Sequence, residues 1–249
     1  MPKQSGMSMI EVMVALLLSS FLILGITQVY LDNRENNLFQ QSQGNNIENA
    51  RFSILILEQE LSKTGYRRQP SHTLEHAFPQ ITDTNCGLMT KGQIVKRISD
   101  TSFCIRYQPA FTGAKTCDGN DITGIPSTPY SDAEPVVEIF TLKDLDTTDG
   151  VNTPQLTCNN QVIASNISAI RFEYGVNSNE EKIVDKYTSS PTNTENVRAV
   201  QFSVLSASST EVTKEASSTV YKHWFGNEPT DKKLYTMFSN SASMRNVMP

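Results

Sequence analysis

The chain has 249 residues, with 21 Lys and Arg against 26 Asp and Glu, and hence a formal net charge of -5. This length suits an apolar anchor and one sizeable domain, and the charge disfavours direct nucleic-acid binding, which would show a basic patch. All four cysteines lie beyond residue 85, as expected for an oxidising compartment.

The chain begins with a short leader and an apolar helix. Between residues 12 and 26 the only polar side chains are Ser19 and Ser20, and about 20 such residues can span a bilayer. Glu11, directly before this apolar run, is unexpected, because placing an ionised carboxylate in hydrocarbon costs a few kcal/mol. We therefore expect Glu11 to have a partner within the membrane or an assembly. Lys3 is the only charge before the span and favours a cytoplasmic N-terminus.

Residues 6–11 (GMSMIE) and the following apolar run resemble the processing site of type IV prepilins and of type II secretion pseudopilins. The resemblance implies that a prepilin peptidase cuts between Gly6 and Met7 and that Met7 becomes the N-methylated first residue. It implies that Glu11 neutralises the terminal amine of a neighbouring subunit. Where the family most often has Phe, this chain has Met7, a difference that bears on the efficiency of cleavage.

A plain signal anchor and a secretory signal peptide are the alternatives for this N-terminus. The leader is very short for either of them. A secretory peptide also needs small residues at a cleavage site after the apolar run, and residues 28–32 (QVYLD) form a poor site. The prepilin interpretation is therefore favoured.

The helical pattern is predicted to continue to about residue 64. Residues 32–46 are very polar and contain Asn and Gly44, which are poor helix formers, so we expect helix of low local stability there. Apolar residues then recur at helical spacing and are predicted to pack on a sheet of the same domain. They are Ile47, Ala50, Ile54, Leu57 and Leu61. Gly65 is predicted to cap the helix.

Residues 48–67 (ENARFSILILEQELSKTGYR) resemble the helix end of PilW-type minor pilins. The shared pattern consists of Ala50, Arg51, Leu57, Glu60, Leu61, Gly65, Tyr66 and Arg67. Residues 103–108, 156–158 and 244–246 also look like this family. Among pilin-like proteins, the resemblance therefore points to the PilW type.

Beyond the helix we predict a β-rich head. Residues 69–100 are predicted to form a loop with short strands at most. Phe103, Ile105 and Tyr107 alternate, which predicts a strand with one buried face and with Cys104 and Arg106 on the other face. Further strands are predicted at residues 136–142, 170–176 and 200–204, and from residue 235 towards residue 247.

Polar loops at residues 112–132, 144–154 and 177–196 separate these strands and are too short to link independent domains. The predicted fold class is α+β, with a long N-terminal helix packed on an antiparallel β-sheet head as in type IV pilins. The predicted divisions are a leader at 1–6, a membrane and filament-core helix at 7–30, its continuation at 31–64, and a disulfide-containing head at 65–249.

The four cysteines permit three pairings, and the sequence does not choose between them. We favour Cys86 with Cys104, and Cys117 with Cys158. The second pair would tie the loop at residues 112–132 to the segment around Leu156. The alternative is a zinc site, which is disfavoured because no CxxC pair occurs.

The remaining groups of histidine and acidic residues do not predict a catalytic centre. His72 and His76 have a spacing that can bind metal on a helix, but no third ligand follows in the sequence, so solvated histidines are predicted. Asp144, Asp146 and Asp149 partly match a calcium loop, yet the third acid is displaced and no Glu follows, so a polar turn is predicted, as at residues 118–121. We expect no enzyme, resident metal or cofactor.

The resemblance implies a minor pilin that helps to initiate or cap type IV pilus fibres. It implies as partners other minor pilins, the major pilin, the prepilin peptidase and the inner-membrane assembly platform. Before assembly the chain would span the bacterial inner membrane with its head in the periplasm, and afterwards it would lie in the pilus at the cell surface. The alternatives are a minor pseudopilin of type II secretion, a tip subunit for adhesion or DNA uptake, and a membrane-tethered enzyme.

Overall fold

A computed structural model describes residues 6, 8–143, 154–179, 181–192 and 195–247. Within these residues the long helix α1 (Met9–Lys63) leads into a head of three antiparallel sheets and two short helices, α2 (Leu74–Ala77) and α3 (Thr219–Phe225). The predicted α+β class is therefore confirmed.

The three sheets follow one another along the chain. Strands β1 (Ile81–Asp83) and β2 (Gly87–Met89) form a hairpin. The second sheet is a five-stranded meander of β3 (Val95–Ser99), β4 (Ser102–Tyr107), β5 (Val136–Lys143), β6 (Gln155–Cys158) and β7 (Gln161–Ala164). The third contains β8 (Ile167–Asn177), β9 (Lys186–Thr188), β10 (Asn196–Ala207) and β11 (Tyr235–Ser243), in the order β11-β10-β8-β9.

Helix α1 is continuous and includes the polar residues 32–46. Its 55 residues correspond to a length of about 80 Å at 1.5 Å per residue. All side chains from Met9 to Leu38 are exposed, and fully buried side chains begin at Asn46. The N-terminal half of the helix therefore projects from the head, as the sequence predicted.

The C-terminal half of α1 packs on the head along the predicted stripe. Leu57 and Leu61 are buried in the main core, and Ile54 is half-buried against it. Phe103 links the two larger sheets in this core, because its ring centroid lies 5.3 Å from that of Phe140 on β5 and 4.6 Å from that of Phe172 on β8. The C-terminal half of α1 therefore shares one core with both of the larger sheets.

Polar residues also lie on the buried face of α1, which the apolar pattern did not indicate. Asn46 is 1% exposed, and its side-chain nitrogen donates to the carbonyl of Leu234 at 2.8 Å. The hydroxyl of buried Ser53 donates to the carbonyl of Asn49 at 2.7 Å. A buried polar group is tolerated when it has such a partner.

Gly65 allows α1 to end against the sheet. The helix is capped by Thr64, and Gly65 follows with φ +71° while its N–H donates to the carbonyl of Arg106 at 2.9 Å. A Cβ at this position would lie 3.0 Å from Val247 Cγ1 and 3.1 Å from Ile94 Cδ1. Both the positive φ and the close packing therefore favour glycine.

Strand β4 has the predicted buried face of Phe103, Ile105 and Tyr107, and Cys104 and Arg106 on its other face are buried as well. Cys104 is covered through its disulfide bond to Cys86. Arg106 is covered by the chain before β3, and its guanidinium donates to the carbonyls of Pro79 at 2.8 Å and Phe78 at 2.9 Å. This cover comes from a segment distant in sequence, which alternation within the strand cannot reveal.

Residues 69–100, predicted as a loop with short strands at most, contain the short strands β1 to β3 and also the helix α2, which was not predicted. One predicted boundary changes. The last strand ends at Ser243, and residues 245–247 form a turn.

Candidate functional site

The predicted processing site lies where the chain enters α1. Gly6 is exposed, and among the described residues no atom lies within 4 Å of the position that a Cβ would occupy. Met7 lies outside the described residues. Ser8 has an extended backbone and precedes the first helical residue, Met9. The peptide bond predicted to be cut therefore lies next to an exposed, non-helical residue.

The first part of α1 is long and apolar enough to cross a membrane, and none of that window is buried by the head. Its hydroxyl groups are satisfied within the helix, since Ser20 donates to the carbonyl of Leu17 at 2.7 Å and Thr27 donates to that of Ile23 at 2.8 Å. Glu11 is the only charged residue between Met9 and Leu31. The described part of the chain supplies no ion-pair partner for Glu11.

The C-terminal segment of the chain fixes the end of α1. The side-chain nitrogen of Asn246 donates to the carbonyls of Ser62 at 2.9 Å and Thr64 at 3.1 Å. On β11, Asn240 donates to the carboxylate of Glu58 at 3.3 Å. These hydrogen bonds join the last residues of the head to the C-terminal turns of α1, and Asn246 belongs to the segment that the sequence resemblance had also singled out.

The cysteines form the pairs that were favoured from the sequence. Cys86 joins Cys104, and Cys117 joins Cys158, with Cα atoms 6.1 Å apart in each pair. The second bond ties the long segment between β4 and β5 to β6. Because both sulfurs are bonded, the cluster of Cys117, Glu138 and Cys158 offers no thiolates to a metal ion.

Arg68 also holds the segment between β4 and β5 in place. This role was not predicted from the sequence. Only 7% of its surface is exposed. Its guanidinium donates to five backbone carbonyls, those of Pro109, Ala110, Pro126, Thr128 and Ser131. The planar array of donors on arginine suits such a convergence of carbonyls.

A buried carboxylate cluster lies where α1, β4 and β5 meet. Glu138 is fully buried, and one of its oxygens accepts from the hydroxyl of Tyr107 at 2.7 Å and from the N–H of Cys117 at 2.8 Å. Nearby, Glu60 pairs with Lys63 at 2.6 Å. Burial, with a smaller contribution from the negative charge of Glu60, raises the pKa of Glu138 from its ordinary value of 4.5 to about 7.

Replacing Glu138 with glutamine is expected to change how stability depends on pH. Because the pKa of Glu138 is raised on folding, its favourable contribution is complete below about pH 4.5 and is lost as the pH rises through about 7. The free energy of unfolding of Glu138→Gln relative to wild type should therefore increase between pH 5 and pH 8, by on the order of 2 kcal/mol.

Urea unfolding of the purified protein in detergent, followed by far-UV circular dichroism at the two pH values, measures this change. The control is Glu173→Gln, at an exposed position on β8. An equal difference from wild type at both pH values for Glu138→Gln would contradict the assignment.

A groove runs between the end of α1 and residues 109–119. Its lining includes Glu60, Lys63, Tyr107 and Phe111, and its volume is about 660 Å³. Glu60 and Lys63 pair with each other, and the hydroxyl of Ser62 donates to the carbonyl of Gln59 at 2.6 Å. These polar groups of the groove are therefore already paired with other groups of the protein.

The histidines predicted to be solvated lie beside a third potential ligand. His72 and His76 flank the start of α2, and Asp132 approaches both from the segment before β5. The predicted turn at residues 118–121 is present, with Asn120 donating to Asp118 at 2.8 Å. The partial calcium-loop match at Asp144, Asp146 and Asp149 lies outside the described residues.

Comparisons with known proteins match both ends of the chain. Residues 141–246 match the family described as type IV pilus-assembly protein W, and residues 1–27 match the prokaryotic N-terminal methylation motif. These matches confirm the resemblance to PilW-type and prepilin sequences. No curated protein matches the sequence significantly.

A similar solved structure is a type IV-like pilin from Thermus thermophilus. The two sequences are 10% identical, and the alignment covers 82% of this chain and 97% of that chain with a TM-score of 0.49.

Proposed function

We propose that this type IV pilin-like protein of the PilW family is a minor pilin, which helps to initiate or cap pilus fibres after a prepilin peptidase has removed residues 1–6. The observation that carries the proposal is the exposed apolar part of α1 from Met9 to Leu31, which has Glu11 as its only charge and follows an exposed Gly6. The matches at residues 1–27 and 141–246 support it.

The exposed helix accounts for how such a subunit assembles. In the membrane its apolar side chains contact lipid, and in a fibre they contact helices of similar polarity, so most of the transfer is close to isoenergetic. Glu11 is the exception, because its charge is costly in either setting unless it meets a cation. Pairing with the N-terminal amine of a neighbouring subunit would therefore fix the axial position of each helix.

The proposed partners follow from this assembly. They are the other minor pilins, the major pilin, the prepilin peptidase and the inner-membrane assembly platform. Before assembly the apolar half of α1 lies in the bacterial inner membrane with the head in the periplasm, and after assembly the head lies on the fibre at the cell surface. The two disulfide bonds of the head suit that compartment.

The first test is the mass of the mature N-terminal peptide from cells with and without the prepilin peptidase. The expected peptide begins at Met7, carries one added methyl group and disappears when the peptidase is absent. An intact Met1, or cleavage after residue 26, would refute the proposed processing.

Deletion of the gene distinguishes a pilus from a secretion system. Loss of surface pili with normal protein secretion is expected. Normal piliation with a loss of type II secretion would instead identify a minor pseudopilin.

A further inference from the structure

We propose that His72, His76 and Asp132 form a site for a divalent transition-metal ion of the Zn²⁺ class on the surface of the head. This inference is independent of the proposed role in pilus assembly. One suitable ligand atom from each residue lies within 4.8 Å of the others. The two histidines come from the segment before β1, whereas Asp132 is contributed by the segment before β5, so a bound ion would fasten these two segments together.

The ligand atoms are close to the separations that a metal ion requires. Nδ1 of His72 lies 3.2 Å from Oδ1 of Asp132, and Nε2 of His76 lies 4.0 Å from Oδ2 of the same carboxylate. With bonds of about 2.1 Å, a tetrahedral site needs separations of about 3.4 Å. The first distance already fits, but the two contacts use different carboxylate oxygens. One ligand atom from each residue lies within 4.8 Å of the others, so binding requires the side chains to close by up to about 1.4 Å.

Nδ1 of His72 is placed to act as a metal ligand. Its Nδ1 is shielded from solvent and makes no hydrogen bond among the described residues, despite its short distance to Asp132. The imidazole rings of His72 and His76 also lie close together, with centroids 4.2 Å apart at 74°. A cation between the three side chains would use this shielded nitrogen and hold both rings.

The backbone around the site is held by interactions that need no metal. The N–H of His76 donates to the hydroxyl of Thr73 at 3.3 Å, and Arg67 donates to the carbonyl of His72. On the other side, Arg68 donates to the carbonyl of Ser131 at 2.8 Å, immediately before Asp132. The two segments are therefore brought together before any ion binds, which lowers the entropic cost of binding.

The ligand types select the class of ion. Two imidazole nitrogens and one carboxylate suit Zn²⁺ and neighbouring transition metals, whereas Ca²⁺ and Mg²⁺ prefer oxygen ligands. Three protein ligands leave the fourth position of a tetrahedral ion open to water. The side chains of His76 and Asp132 are 64% and 47% exposed, so an ion can reach the site from solvent.

Isothermal titration of the untagged full-length protein in detergent with ZnCl₂ tests the proposal. We expect one ion per chain and no comparable heat with CaCl₂. His72→Ala and Asp132→Asn should each weaken Zn²⁺ binding at least tenfold while the far-UV circular dichroism spectrum is retained. The protein has three histidines, and the third, His223, is exposed on α3, so His223→Ala is the matched control and should bind as wild type does.

Substitution of Co²⁺ for Zn²⁺ supplies a second measurement. Visible absorption typical of tetrahedral Co²⁺ is expected for wild type and His223→Ala, and its loss is expected for His72→Ala. Absence of stoichiometric Zn²⁺ binding, or equal binding by the His72→Ala and His223→Ala variants, would overturn the proposal.

Discussion

Replacing Glu11 with alanine is expected to leave cleavage after Gly6 intact and to reduce incorporation of the protein into fibres at least tenfold. The variant removes the only charge between Met9 and Leu31, on a helix whose apolar half is fully exposed. In a fibre, the cationic N-terminus of the neighbouring subunit would then lie among apolar helices without a partner. Removing one member of a buried ion pair typically costs about 3–5 kcal/mol, and about 1.4 kcal/mol already corresponds to a tenfold change.

Quantitative immunoblotting of sheared pili and of the membrane fraction measures this effect, and the mass of the N-terminal peptide monitors cleavage. Ser20→Ala is the matched control, because the Ser20 hydroxyl is satisfied by the carbonyl of Leu17 within the same helix. This control should be incorporated normally. If Glu11→Ala enters fibres at the wild-type level, the pairing role is wrong, and if it accumulates uncleaved, Glu11 acts in processing instead.

The second large effect is expected when the disulfide bond between Cys117 and Cys158 is removed. This bond closes a loop across a sequence separation of 41 residues, against 18 for Cys86 and Cys104. Loop-closure entropy predicts that its loss lowers the free energy of unfolding by about 4 kcal/mol, compared with about 3 kcal/mol for the shorter loop. The double variant Cys117→Ala/Cys158→Ala should therefore be less stable than the double variant Cys86→Ala/Cys104→Ala.

Limited proteolysis separates a local effect from a global one. Lys115 is exposed, two residues before Cys117, in a segment that the disulfide bond and Arg68 hold in place. Trypsin should cut after Lys115 several-fold faster in Cys117→Ala/Cys158→Ala, under conditions in which the chain remains folded. The control, Cys86→Ala/Cys104→Ala, should keep wild-type resistance at Lys115. Cleavage at the slow wild-type rate in both double variants would show that the longer loop is held mainly by Arg68.

The helix and the processing motif could be predicted from the sequence because both depend on residues that are close together in the chain. The apolar run, the position of Glu11 and the stripe of Ala50, Leu57 and Leu61 determine one helix with an exposed N-terminal half and a buried C-terminal face. Strands with strict alternation, such as β8 and β10, were likewise predicted, because each side chain on a strand faces either the core or the opposite side.

Only the tertiary structure decided which polar residues are buried and what they contact. The alternation places Arg106 on the face opposite Phe103 and Ile105, and the segment between α2 and β3 covers it there and supplies carbonyl acceptors. Arg68 holds a loop more than 40 residues away in sequence, and Glu138 is brought against Glu60 of α1.

His72 and His76 were predicted to be solvated because no third ligand follows them nearby. The fold brings Asp132 to them from 56 residues beyond His76, through the contacts of Arg68. Sequence by itself thus determined the elements and their periodic faces, which depend on neighbours within a few residues. The polar clusters depend on contacts between segments far apart in the chain, and these contacts exist only after the sheets and the helix have packed together.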